Sequence, residues 1–224
     1  MATPLAAIEV VTGAVPQHAV IWLHGLGADG HDFEPIVPAL SLTAPVRFVF
    51  PHAPVRPVTV NFGTPMRAWY DILALDRMTV EDEAGIRASQ AAVAALIEDE
   101  LARGIDSKRI ILAGFSQGGA IALHTGLRFP RALGGIMVLS AYLPLRETLA
   151  AERADANTVT PILMAHGSYD PVLPEALAVE SLRSLEQQGY AVEWHSYPMA
   201  HMVCGEEIQD ISRWLNACFA AAER

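Results

Sequence analysis

At 224 residues the chain is long enough for one domain with a large core. Hydrophobic residues make up 52% and charged residues 18%, which excludes a disordered chain and suits a buried sheet covered by helices. The net charge of −10, with no basic stripe, argues against nucleic acid and against attraction to anionic lipid headgroups.

Met1 to Glu9 holds no basic segment followed by an apolar core, so it does not read as a signal peptide. Residues 8–12 and 19–23 read as strands joined by a turn at Gly13 and Pro16, the second apolar throughout. His24-Gly-Leu-Gly-Ala-Asp-Gly30 follows, then a short helix over 32–40 with Pro35 in its first turn and a strand over 46–50. Residues 51–76 read as a long irregular loop holding Pro51, Pro54, Pro57 and Pro65, and loops of that length usually serve function. The spacing of Ile86, Val93, Leu96, Ile97 and Leu101 predicts a helix over 79–103, capped by Thr79 and ended by Gly104.

Residues 110–113 form a short apolar run that leads into Gly114-Phe-Ser-Gln-Gly118, and a helix then runs towards Pro130. A strand over 133–140 precedes a polar, alanine-rich excursion at 147–160 that reads as surface. A strand over 161–165 ends at His166-Gly-Ser-Tyr-Asp170, followed by a helix over 175–188, a strand over 192–197, the loop 198–201 and a helix over 206–219. Strands alternating with helices predict an α/β domain, 1–224, with a mostly parallel sheet and helices on both faces. The longest nearly apolar stretch, 132–145, is too short to span a membrane. Two cysteines, Cys204 and Cys218, make no disulfide framework, so a reducing, cytoplasmic location is expected.

Strand, Gly-x-Ser-x-Gly, helix is the context of a nucleophile elbow around Ser116. The serine needs a strained turn that lifts its hydroxyl clear of the sheet. Gly114 and Gly118 crowd one another across that turn, so neither tolerates a Cβ. A base and an acid must then follow in the order serine, acid, histidine. Asp170, just past a strand, fits the acid better than Asp155 in the excursion or Asp210 on the last helix. Its alternative use is an Asx turn before Pro171. His201, in the loop after the last strand, fits the base better than His195 inside that strand, because sites on open α/β sheets lie at the strands' carboxyl ends. His195, His201 and Cys204 lack a standard zinc spacing, so no metal is expected.

Gly25-Leu-Gly27-Ala-Asp-Gly30 also matches a dinucleotide fingerprint, but no Asp or Glu appears between 41 and 61, about where the ribose contact belongs. The same turn suits a backbone amide aimed at Ser116, which with the amide of Gln117 makes a two-donor oxyanion hole.

His24-Gly-Leu-Gly-Ala-Asp-Gly30, Trp69-Tyr-Asp71, Ala113-Gly-Phe-Ser-Gln-Gly-Gly119, His166-Gly-Ser-Tyr-Asp170 and Pro198-Met-Ala-His201 together resemble the carboxylesterase and acyl-protein thioesterase family, and small bacterial carboxylesterases most closely. The resemblance implies an α/β-hydrolase fold, Ser116 as nucleophile, Asp170 as acid, His201 as base, and the amides of Leu26 and Gln117 as oxyanion donors. It implies action on a small-molecule ester or acyl-thioester, with no cofactor, and it allows a homodimer. Cys204 stands where the family often has serine, and Phe62-Gly-Thr-Pro-Met-Arg-Ala68 differs from the commoner sequences before Trp69.

The expected reaction is acyl transfer through Ser116, then hydrolysis of the acyl-enzyme. Phe62, Met66, Trp69, Tyr70 and Leu73, with Leu75 beyond, would line an apolar acyl groove or simply pack their loop down. The rivals are a thioesterase or lysophospholipase using the same groups, and a non-catalytic binding protein on the same scaffold.

Overall fold

The computed structural model describes residues 5–74 and 80–223. The strands are β1 (Ala7–Val11), β2 (His18–Leu23), β3 (Val46–Pro51), β4 (Val55–Val58), β5 (Thr64–Arg67), β6 (Ile110–Phe115), β7 (Gly135–Leu139), β8 (Ile162–Gly167) and β9 (Val192–Tyr197). The helices are α1 (Glu83–Ala102), α2 (Gln117–Arg128), α3 (Leu149–Glu152), α4 (Glu175–Gln187) and α5 (Gly205–Ala222). Among the described residues a seven-stranded sheet runs in the order β1-β3-β2-β6-β7-β8-β9. Only β1 is antiparallel to its neighbour.

Side chains alternate across this sheet, as a pleat requires. Ile21, Leu23, Ile110 and Leu112 pack with Ile86, Val93 and Ile97 of α1 and with Ile121 of α2. Their neighbours Val20, Trp22, Ile111 and Ala113 pack on the other face, against Ile211, Trp214 and Leu215 of α5. β7 and β8 divide the same way: Ile136, Val138, Ile162 and Met164 meet Leu127 of α2 and Ala178 and Leu185 of α4. Both faces are therefore covered, and strands covered on both faces read as continuous apolar runs. α2 lies so deep that all its residues are buried.

Four expected elements differ. The loop over 51–76 contains a hairpin, β4 with β5, as a separate two-stranded sheet. Pro57 and Pro65 stand opposite each other in it; in a ribbon whose strands are both edges, the missing N–H groups need not break a ladder. The segment expected as a helix over 32–40 is a 3-10 helix, Glu34–Ala39, with Pro38 inside it. α1 starts at Glu83 rather than 79, because Asp82 is the cap: its carboxylate accepts from Gly85 N–H at 2.9 Å and from Asp71 N–H at 2.8 Å. Thr79, expected as that cap, lies outside the described residues, as does Leu75.

The excursion over 147–160 is only partly surface. Asn157 within it is wholly buried. It donates to the carbonyls of Phe129 and Arg131 and accepts from Leu133 N–H, so it ties the end of α2 to the approach of β7. No helix of the described residues is long and apolar enough to cross a membrane.

Candidate active site

β2, β6, β8 and β9 are mutually parallel through their neighbours, so the turns after all four open on one rim. Those turns carry His24, Ser116, Asp170 and His201. At the end of β6, Ser116 takes φ 54° and ψ −122°, a strained backbone for a residue with a Cβ. Hydrogen bonds hold it on both sides: Ser116 N–H donates to Leu139 O at 2.8 Å, and Ser116 O accepts from Ala120 N–H at 3.0 Å. A Cβ on Gly114 would overlap the backbone of Gly118, and one on Gly118 would overlap the Leu23 and His24 carbonyls. This sharp turn therefore forms only where both positions are glycine.

Ser116 Oγ lies 2.9 Å from His201 Nε2, and His201 Nδ1 lies 2.6 Å from Asp170 Oδ2. The Asp170 side chain is fully buried and that of His201 is partly exposed. A carboxylate accepts only, so His201 Nδ1 donates to Asp170, which leaves Nε2 to accept from the serine hydroxyl. Asp170 Oδ1 takes the Val172 and Leu173 N–H groups at 2.8 and 2.9 Å. The Asx turn and the acid position are thus one carboxylate facing two ways. Phe115, just before the serine, packs its ring 4.8 Å from that of His201.

The loop bearing His201 is pressed onto the end of β8. Ser168 N–H donates to Tyr197 O and Tyr169 N–H to Met199 O. A Cβ on Gly167 would overlap the Met199 and Ala200 carbonyls. The glycine after His166 is thus what lets two loops from different strands meet.

The turn after β2 lies against the elbow: a Cβ built on Gly25 would stand 3.5 Å from Ser116 Cβ. Gln117 opens α2, so its N–H has no intrahelical acceptor, and among the described residues no loop or turn hydrogen bond runs from Leu26 N–H. N–H groups without an acceptor in the fold are what a developing oxyanion requires. Gly27, at φ 78°, closes the turn through its N–H to Arg67 O at 2.8 Å.

Sequence reasoning did not anticipate two supports of this geometry. His24 is buried, donates from Nδ1 to Gly25 O at 2.7 Å and accepts at Nε2 from Ala53 N–H at 3.0 Å. Burial pushes its pKa below the usual histidine value, consistent with a neutral ring that both donates and accepts. The Gln117 side chain is the second. Its Oε1 accepts from Trp69 N–H at 2.7 Å and its Nε2 donates to Tyr70 O at 2.8 Å. Ser89 Oγ donates to Trp69 O, and Trp69 Nε1 donates to His24 O at 2.9 Å. The motif around the serine displays Gln117, but nothing local shows that its side chain turns back to hold a distant loop.

The five groove residues separate. Trp69 and Tyr70 are buried and pin their loop to the elbow; the Tyr70 hydroxyl meets that of Tyr142 at 3.1 Å. Met66 packs with Leu26, Val60, Val58 and Ile72 under the hairpin. Phe62 stands fully exposed at the hairpin tip at φ 56°, and Leu73 is exposed. The structure therefore brings Met66 to the turn after β2 and does not gather all five into one groove. His195 stays on β9, bonded to Glu193 at 2.8 Å, away from Ser116. Among the described residues, no three His, Cys, Asp or Glu side chains converge as metal ligands.

Residues 5–219 match the family described as Phospholipase/Carboxylesterase. The chain is 41% identical over 215 residues to acyl-protein thioesterase 1 of Neurospora crassa, covering 90% of this chain and 88% of that protein. It is 38% identical over 227 residues to acyl-protein thioesterase 1 of Mycosarcoma maydis, covering 94% and 95%. Among solved structures it is similar to SOBER1 of Arabidopsis thaliana, with TM-score 0.85 and 30% identity over 90% of this chain and 98% of that one. Acyl-protein thioesterase 2 of Zea mays matches with TM-score 0.84 and 29% identity, over 96% of this chain and 100% of that chain.

Proposed function

We propose, for a chain that belongs to the phospholipase/carboxylesterase family and is therefore a hydrolase, that Ser116 is the nucleophile of a serine carboxylesterase. The observation that carries this reading is the relay of Ser116, His201 and Asp170, at 2.9 and 2.6 Å. In it His201 takes the serine proton as Oγ attacks the acyl carbonyl, and the buried Asp170 carboxylate stabilises the imidazolium that forms. The Leu26 and Gln117 amides receive the oxyanion, and losing one such donor typically costs about 3 kcal/mol of transition-state stabilisation. The imidazolium then protonates the leaving alcohol, and water hydrolyses the acyl-enzyme by the same path in reverse. Two cysteines without a disulfide fit a reducing compartment, the cytoplasm.

A second reading, acyl-protein thioesterase, is favoured by the relatives that carry that name at 38 and 41% identity. The relay acts on the acyl carbonyl and does not read the leaving group, so both substrates fit the same groups. Hydrolysis of p-nitrophenyl esters, a palmitoyl thioester and a lysophospholipid should be measured side by side. Ser116→Ala is expected to lower turnover on whichever is cleaved by at least about 10⁴-fold. Near-normal hydrolysis by that variant would remove Ser116 from the mechanism. A wild-type enzyme much faster on the thioester than on every ester would replace the carboxylesterase reading by the second.

A further inference from the structure

His166 stands outside the relay, yet its ring edge reaches the acid. It lies in β8 immediately before Gly167 and is wholly buried. Its Nε2 is 2.8 Å from Leu173 O, and since a carbonyl only accepts, Nε2 carries the hydrogen. The same nitrogen is 3.5 Å from Asp170 Oδ2, the oxygen that takes the His201 Nδ1–H. Leu173 meanwhile gives its own N–H to Asp170 Oδ1. The turn over 170–173 is thus closed twice at one residue: the Leu173 N–H holds the carboxylate, and the Leu173 carbonyl is held by His166. On the far side the His166 ring stacks over Trp194 of β9, centroids 6.4 Å apart.

N–H groups facing the oxygens of a buried carboxylate stabilise its charged form. Oδ1 has two, and Oδ2 has His201 with the His166 N–H beside it. The groups facing His166 are the Asp170 and Glu175 carboxylates and His201. Burial outweighs both carboxylates and the bond to Leu173 and holds the His166 pKa below its usual value, with His201 pushing the same way. A neutral ring is the useful state here: a second imidazolium would repel the one that His201 must become, whereas an N–H dipole supports the carboxylate without competing.

We propose that His166 is a positioning residue for Asp170, an Nε2–H tautomer that closes the 170–173 turn through Leu173 and sets the carboxylate against His201. The proposal rests on the reading of Ser116 as nucleophile. It is tested with the full chain as wild type, His166→Leu and His166→Gln. Ester hydrolysis is followed from about pH 5 to 9, normalised to the sites titrated by a fluorophosphonate.

His166→Leu is expected to lose kcat with KM little changed. The loss should lie between about tenfold, as for outer partners of an oriented histidine, and the about 10⁴-fold that follows neutralising the acid itself. Its acid limb is expected to move to lower pH, because a displaced Asp170 supports the imidazolium less. His166→Gln, whose amide N–H reaches about as far as Nε2, is expected to recover most of the rate. Wild-type kcat per titrated site and an unmoved acid limb in His166→Leu would overturn the proposal, whatever happens to its melting temperature.

Should His166→Leu fail to fold, ¹⁵N NMR of the wild-type ring decides. A non-titrating Nε2–H tautomer is expected, and an Nδ1–H tautomer or a titrating ring would overturn it. A wild-type chain that neither labels nor hydrolyses would instead sink the Ser116 reading, so the two failures are distinguishable.

Discussion

Ser116 is held at a φ that costs a residue with a Cβ about 1–3 kcal/mol, and its neighbours must offset that. Gln117 does so in two ways. Its side chain accepts from the Trp69 N–H and donates to the Tyr70 carbonyl, both buried. Gln117→Ala would remove both hydrogen bonds from the buried segment, at about 1–3 kcal/mol for each. We therefore expect a clearly lower melting temperature for Gln117→Ala, with fluorophosphonate labelling retained below that temperature because the backbone amide is untouched. Gln117→Glu keeps the acceptor but sets a carboxylate oxygen against the Tyr70 carbonyl in a buried site, so it should be no more stable than Gln117→Ala. Loss of labelling with unchanged stability would show that the side chain acts on the substrate rather than on the loop.

At the scale of elements, the elbow and the hairpin use glycine for opposite reasons. Gly118 is small because the backbone of β2 passes where its Cβ would be. Gly63 has open space around it but sits at φ 72°. Gly63→Ala should therefore cost only the left-handed strain, about 1–2 kcal/mol, with activity per folded molecule unchanged. Gly118→Ala must displace backbone, so it should abolish measurable turnover and cost more than the hairpin substitution. Thermal melts and active-site titration of the two variants would check the order; equal losses would mean that the elbow can relax. The same local reasoning explains why the hairpin escaped the sequence. Prolines opposite each other look like loop until both strands are known to be edges.

At the scale of the whole molecule, a buried carboxyl group links stability to pH. Glu207, in the first turn of α5, is fully buried, and neither carboxylate oxygen makes a well-aligned hydrogen bond among the described residues. Burial pushes its pKa up to about 8, opposed by the Cys204 backbone and aided by Asp210. Its folded pKa is thus raised above the unfolded value of 4.5. Stability from this group is fully present below that lower value and is lost as pH rises towards about 8, with a slope of at most about 1.4 kcal/mol per pH unit. Glu207→Gln should flatten that limb, so wild type and variant should diverge most near pH 8 and least near pH 4 in denaturant titrations. Parallel curves would mean that Glu207 is not the group responsible.

By itself the sequence determined the sheet and its covering helices, and it pointed to Ser116, Asp170 and His201 as three side chains that meet. Strands buried on both faces must be written as unbroken apolar runs, and a strained turn must be written with glycines, so both are visible locally. What only the tertiary structure decided is how separate loops hold one another: Gln117 on the Trp69 loop, His24 on Ala53, Gly167 beneath the His201 loop, and His166 on the turn of Asp170. Each of these is one polar or small residue whose partner lies elsewhere in the chain or across a turn. A single hydrogen bond between distant segments leaves no periodicity to read, because its position is set by packing of the whole sheet rather than by its own neighbours.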